Sequence, residues 1–190
     1  MGGLSEDSPD RRPRLRTERL DLEPLTWRHL DLLVELDADP EVLRFIWGRA
    51  LSREESLHHS RRRIDPEGAS RGIGAWVGLE EGRFAGWWTL QRDPEDDTTA
   101  ELGYRLPRNA WGRGLATEGS RALLDHAFRT LGLPRVWAGT MAVNAGSRAV
   151  MEKLGMRHVR TEVRQWDDPL PGWEQGEVRY EVTRDDWLAR

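Results

Sequence analysis

Residues 100–119 read AELGYRLPRNAWGRGLATEG, and the interpretation of the whole chain turns on them. From Ala100 to Leu106 apolar and polar residues alternate, the period of a half-buried strand. Pro107, which lacks an N–H for a ladder, ends the run. Gly112 and Gly114 then allow a sharp turn and a close backbone approach to a ligand. A helix starting near Leu115 leaves its first N–H groups unpaired and aimed into that turn. Unpaired amides at the positive end of a helix make an anion site best suited to phosphate.

Working outward, residues 1–13 are polar, carry Gly2, Gly3, Pro9 and Pro13, and read as a disordered lead-in. Residues 14–190 read as one domain. Leu15–Leu25 is expected as a strand, and Thr26 as the N-cap of a helix to Asp37. Pro40 opens a short helix to Trp47, and Ser52 with Glu55 forms a capping box for a polar helix. Period-two runs Ile73–Leu79 and Phe84–Gln91 flank Glu80-Glu81-Gly82, a hairpin signal. After the acidic turn Asp93–Asp97 come the strand Thr98–Leu106 and the glycine loop with its helix, which ends at Gly132. Then follow a strand Val136–Met141, a helix Ala145–Leu154 and closing strands Arg157–Trp166 and Glu177–Thr183, joined by the loop Asp167–Gly176. The expected architecture is α+β, a mixed and mostly antiparallel central sheet flanked by helices. Its ligand would sit where the strand before the glycine loop diverges from its neighbour.

Composition narrows the classes of function. The chain is mildly acidic, net charge -4, which argues against nucleic acid as the main partner. Without cysteine there is no disulfide, zinc-thiolate site or thiol nucleophile. No run reaches the length of a membrane span, and a cytoplasmic location is the default expectation. Lys153 is the only lysine, a usage that fits a GC-rich genome. The five histidines stand without metal-ligand spacing, so no metal is expected. Of the ten tryptophans, Trp27, Trp76, Trp137 and Trp187 sit in apolar patterns and read as core. Trp87 and Trp88 are adjacent in a strand and must point to opposite faces, so one of them faces a cleft or solvent.

The loop does not match the common nucleotide fingerprints. No lysine follows either glycine, as a P-loop needs, and Thr117 stands where a dinucleotide fold has its third glycine. Three motifs in order carry a different resemblance. A strand holds E-L-G-Y (Glu101–Tyr104), the turn and helix hold W-G-R-G-L-A-T-E-G (Trp111–Gly119), and N-A-G-S-R-A-V-M-E-K-L-G-M runs from Asn144 to Met156. With Leu15-Arg16-Thr17-Glu18-Arg19-Leu20 as the opening strand, the chain resembles the GNAT superfamily of acyl-CoA N-acyltransferases, nearest the RimJ/RimL branch, over about residues 14–185. Asn109 departs from the Gln or Arg of the general superfamily loop.

The resemblance implies acetyl-CoA as cofactor and direct attack of a primary amine on its thioester. Glu101 is then the candidate base, with a solvent-facing strand glutamate as the alternative. Ser147 is the candidate proton donor to the leaving thiolate, or merely a helix cap. A backbone N–H of Gly103–Leu106 would meet the oxyanion, with Gly103 allowing a bulge. The cofactor site implied comprises Gly103, Tyr104, Leu106, Trp111, Gly112, Arg113, Gly114, Leu115, Ala116, Thr117, Asn144 and Lys153. Arg113 would reach a phosphate or solvent, and Asn144 would bind the pantetheine or fix the turn. Some members use a tyrosine as acid, but neither Tyr104 nor Tyr180 stands at the usual place. The acceptor cleft is expected between the N-terminal helices and the final loop, lined by Trp47, Trp87, Trp88, Trp166 and Trp173. Asp37, Asp39, Glu54, Glu55, Asp167, Asp168 and Glu174 would make its mouth acidic and suited to a cationic amine. Protein N-termini, lysine side chains, polyamines, and basic peptide or aminoglycoside antibiotics would all qualify as that amine. The chain is expected as monomer or homodimer. The competing reading is an acyl-CoA-binding sensor or partner subunit without catalysis.

Overall fold

Stretches of period-two and of helical hydrophobicity are interleaved along the chain and meet in a single sheet layered with helices. The computed structural model describes residues 10–93, 96, 98–165 and 168–190. Its strands are β1 (Leu15–Arg16), β2 (Leu20–Pro24), β3 (Gly74–Glu80), β4 (Arg83–Arg92), β5 (Thr99–Arg105), β6 (Arg135–Met141), β7 (Arg157–Glu162) and β8 (Glu177–Thr183). They lie in the order β1-β2-β3-β4-β5-β6-β8-β7, antiparallel throughout except where β5 meets β6. The helices are α1 (Leu30–Asp37), α2 (Arg53–Arg61), α3 (Pro66–Ser70), α4 (Leu115–Asp125), α5 (Ala145–Lys153) and α6 (Arg184–Leu188). The expected α+β architecture with a mixed, mostly antiparallel sheet is the one observed.

The alternation of each strand sorts side chains between two cores. On one face Trp76, Trp88, Leu90, Leu102 and Val136 pack against α4, Met151 of α5 and Trp187 of α6. On the other, Ala75, Val77 and Trp87 pack against Leu33 and Leu36 of α1. The β3–β4 hairpin closes through Glu81 and Gly82, both at positive φ, the geometry of a two-residue turn matched to strand twist.

Several expectations are corrected. The opening strand is two strands, because Thr17–Arg19 turns back to pair β1 with β2. Thr26 heads a 3-10 turn, Trp27–His29, before α1, and its N–H bonds His29 Nδ1 at 3.0 Å. Pro40–Trp47 is a run of turns, not a helix. The helix after Gly114 finishes as a π turn, His126–Thr130. Trp27 is 62% exposed, and Trp137 is half-buried in a cleft. Of the lead-in, residues 10–13 are fastened to the sheet: Arg12 Nη1 donates to Ala75 O at 2.7 Å, and Trp76 Nε1 donates to Pro13 O at 2.9 Å. The capping box of α2 is present, with Ser52 Oγ accepting from Glu55 N and Glu55 Oε2 from Ser52 N.

Candidate active site

The site begins with a pairing that stops. β5 is paired with β4 along its length, and β6 with β8, but β5 and β6 share only Thr99–Arg135, Ala100–Val136 and Glu101–Trp137. Past Glu101 the two strands separate. The wedge between them is a cleft of about 930 Å³ through the sheet, walled by β5, β6, the glycine turn and α5.

At one end lies the glycine turn. Gly112 and Gly114 take φ of +70° and +84°, and an added Cβ at Gly112 would meet nothing within 4 Å. Gly114 caps α4 without a side-chain hydrogen bond, and the first backbone bond of the helix is Glu118 N to Gly114 O. Leu115, Ala116 and Thr117 therefore present amides to the cleft, at the positive end of an 11-residue helix. The turn is held from behind. Glu118 accepts from Thr17 Oγ1, Arg19 N and Arg19 Nε, and Arg19 Nη1 donates to Arg113 O at 2.9 Å. Those hydrogen bonds keep the Glu118 carboxyl below its usual value despite the burial that opposes them. Arg113 is not brought to the cleft: its guanidinium forks onto Glu80 at 2.7 and 2.8 Å.

In the middle, β5 presents two chemistries on its two faces. Glu101 is partly buried, and burial followed by the nearby Asp93 raises its carboxyl above the usual range. On the opposite face Tyr104 Oη lies 2.8 Å from Ser147 Oγ, and burial pushes the phenol up to about 12. This contact was not legible in the sequence, because Tyr104 and Ser147 are far apart along the chain and meet only in the fold. Ser147 does not cap α5. Asn144 does, its Oδ1 accepting from Ser147 N at 3.1 Å while Nδ2 donates to Thr140 Oγ1 at 3.0 Å. Gly103 makes no bulge, since the β4–β5 register runs unbroken; a Cβ there would lie 2.6 Å from Thr89 Oγ1. Leu106, Trp111 and Lys153 also line the cleft.

At the other end, Trp87 faces the cleft, whereas Trp88 is fully buried below α4, its Nε1 donating to Ala116 O at 3.2 Å. Trp47 lines a side pocket and stacks on His59 at 4.7 Å. Trp173 lines neither cavity, and Trp166 lies outside the described residues. The expected acidic mouth is not formed. Asp37 is buried against Arg105 and Ser56, Asp39 pairs with Arg108, and Glu55 with Arg49. Glu54, Asp168 and Glu174 line neither cavity, and Asp167 lies outside the described residues. The side pocket is walled by Arg62, Arg63 and Arg105 beside Asp37 and Glu101; the sequence did not point to these arginines, because Arg62–Arg63 after α2 and Arg105 of β5 meet only in the fold.

Known proteins match this arrangement. The acetyltransferase (GNAT) domain model matches residues 19–157. The FsC-acetyl coenzyme A-N(2)-transacetylase of Aspergillus fumigatus is 40% identical over 184 residues, covering 93% of this chain and 78% of that protein. The crystal structure of an acetyltransferase from Agrobacterium tumefaciens is similar with a TM-score of 0.70 at 27% identity, covering 90% and 94% of the two chains. The ribosomal L7/L12 alpha-N-protein acetyltransferase RimL, solved with coenzyme A, shares the fold, with a TM-score of 0.74, 21% identity and coverage of 90% and 97%. Among the described residues no helix is long and apolar enough to cross a membrane. The chain belongs to the acetyltransferase (GNAT) family and is an acetyl-CoA-dependent acyltransferase.

Proposed function

We propose that this protein acetylates a primary amine of a small molecule, with Glu101 as base and Tyr104–Ser147 as the proton-holding pair. The observation that carries this reading is the wedge at Glu101, which opens both faces of β5 to one cleft. The name of the Aspergillus relative supports a small-molecule acceptor over a ribosomal one.

The residues present fit coenzyme A. Amides of Leu115–Thr117 and the bare backbone of Gly112 would hold the pyrophosphate by main-chain geometry alone. Acetyl-CoA supplies an activated acetyl thioester when bound. Gly139–Met141 and Asn144 wall the route from the amides to the wedge.

Glu101 Oε accepts a proton from the acceptor ammonium, directly or through water, and its raised affinity for protons suits that task. On the other face Tyr104 Oη and Ser147 Oγ hold a proton between them. The phenol stays protonated throughout neutral pH, so the pair donates rather than accepts. Asn144, by fixing the first turn of α5, holds Ser147 at hydrogen-bond distance from Tyr104.

The test is release of free thiol from acetyl-CoA over a panel of amines, from amino acids and polyamines to aminoglycosides and N-terminal peptides. Turnover confined to small-molecule amines is expected. Turnover only with protein N-termini would replace the small-molecule reading, and no turnover with any amine while coenzyme A binds would favour an acyl-CoA sensor.

A further inference from the structure

The acceptor end of the cleft holds more guanidinium than carboxylate. A side pocket of about 330 Å³ opens on the α1–α2 face of β4 and β5. Arg105 is buried there against Asp37, whose second oxygen is taken by Ser56 Oγ at 2.8 Å. Arg63 and Arg105 both lie over the Trp87 ring, at 4.6 and 5.0 Å from its centroid. Arg63 donates from Nη1 to His59 O at 3.1 Å, and no carboxylate reaches it among the described residues. Burial and then the neighbouring Arg105 pull the Arg63 guanidinium down to about 10, so it remains charged at neutral pH. Asp37 offsets part of that burial from a distance, but its two oxygens are engaged by Arg105 and Ser56, so Arg63 lacks a hydrogen-bonded counter-charge, which an arriving anion would supply.

Glu101 does not supply that anion, because it belongs to the far end. The register sets Arg105 opposite Trp87 and Glu101 opposite Gln91. Arg105, which shares the Trp87 ring with Arg63, therefore stands four residues along β5 from Glu101, about 13 Å between their Cα atoms at ~3.3 Å per residue. Gly103 leaves the wall between them bare. The pocket is thus dipolar, a carboxylate at the wedge and, at its back, a guanidinium without an ion-pair partner among the described residues.

We propose that Arg63 is a specificity residue that receives an oxyanion on the acceptor, so that the substrate is a primary amine bearing a carboxylate-type group one pocket length from the reacting nitrogen. The guanidinium fork suits a planar two-oxygen anion, and Trp87 holds it flat. The assignment rests on the acetyl-transfer reading above, since it takes Glu101 as the amine end. It sets the acceptor apart from polyamines and aminoglycosides, whose second charge is positive.

The test uses the full chain and matched probes, the ω-amino acids from aminobutyrate through aminohexanoate to aminooctanoate, each against its own amide. Binding is measured by calorimetry with coenzyme A present, and acetyl transfer is measured separately. The acid of the best-fitting length is expected to bind at least about tenfold more tightly than its amide, as befits one charged hydrogen-bonded pair. Arg63→Met keeps the packing on Trp87 and should bring that ratio towards parity through KM rather than kcat, while Arg63→Lys should restore part of it. Equal binding of acid and amide, absence of binding included, overturns the proposal. So does an Arg63→Met that folds, by its melting curve, and keeps the ratio; Arg63 is then a packing partner of Trp87. Acid-selective, Arg63-dependent binding without acetyl transfer would retain the anion site and reject the transfer reading instead.

Discussion

At the scale of single residues, Glu101 is the group whose environment best suits the role proposed for it. Its carboxyl is raised by burial and by Asp93, so the native state holds a proton that the unfolded chain has already released between the ordinary carboxylate value and the raised one. Stability from this group is therefore present below the ordinary value and is lost as pH rises through the raised one. Activity has the opposite sign, because the base works only after that proton has gone. Glu101→Gln should lower kcat/KM by about 10²–10⁴ and abolish the acid limb of the pH profile. It should also raise Tm at neutral pH, with each kcal/mol recovered reading as about 2–4 °C in a domain of this size. A variant with full activity across pH would remove Glu101 from the mechanism. Tyr104 and Ser147 make a separable prediction. If they act as one proton-holding unit, Tyr104→Phe and Ser147→Ala combined should cost little more in kcat than either alone. Additive losses would mean two independent roles.

At the scale of elements, the site depends on how two helices are started. α5 begins at Asn144, whose side chain satisfies the Ser147 amide. Asn144→Ala should cost about 1 kcal/mol, the usual worth of an N-cap, and should lower kcat as well, because Ser147 loses its fixed distance to Tyr104. Calorimetry and steady-state rates on the same preparation check both. α4 is seated differently. Gly119 lies against the indole of Trp88, where a Cβ would come within 2.4 Å of Cε2. Gly119→Val should destabilise by about 1–3 kcal/mol through overpacking and should raise the KM for acetyl-CoA more than that for the amine, since the shifted helix carries the amides. Trp88 was expected as a cleft residue; the pleat sent Trp87 there and left Trp88 as the floor under the start of α4.

For the whole molecule, the sheet is two halves joined at three residue pairs, and the cleft is the gap where they part. A ligand that spans the gap binds the native state alone, so coenzyme A at 100 times its Kd should add about 2.7 kcal/mol to stability. That reads as roughly 5–11 °C in a melting curve; no shift at saturating ligand would reject the cleft as the cofactor site. The strands, the glycine turn, the capping box of α2 and the Asn144–Met156 motif were all legible in the sequence, because each depends on local period, local backbone freedom or side chains a turn apart. Local chemistry was also enough to indicate the family and the donor. The tertiary structure alone decided which tryptophan meets the cleft, that Tyr104 reaches Ser147, that Arg113 turns away to Glu80, and that three arginines gather in the side pocket beside Asp37 and Glu101. Asp37, Arg63 and Arg105 are distant in sequence, and the net charge of a pocket is a sum over elements that only packing brings together. Residues 100–119 therefore specify the strand and glycine turn of the cleft, while the side pocket is specified by the meeting of α1, α2, β4 and β5.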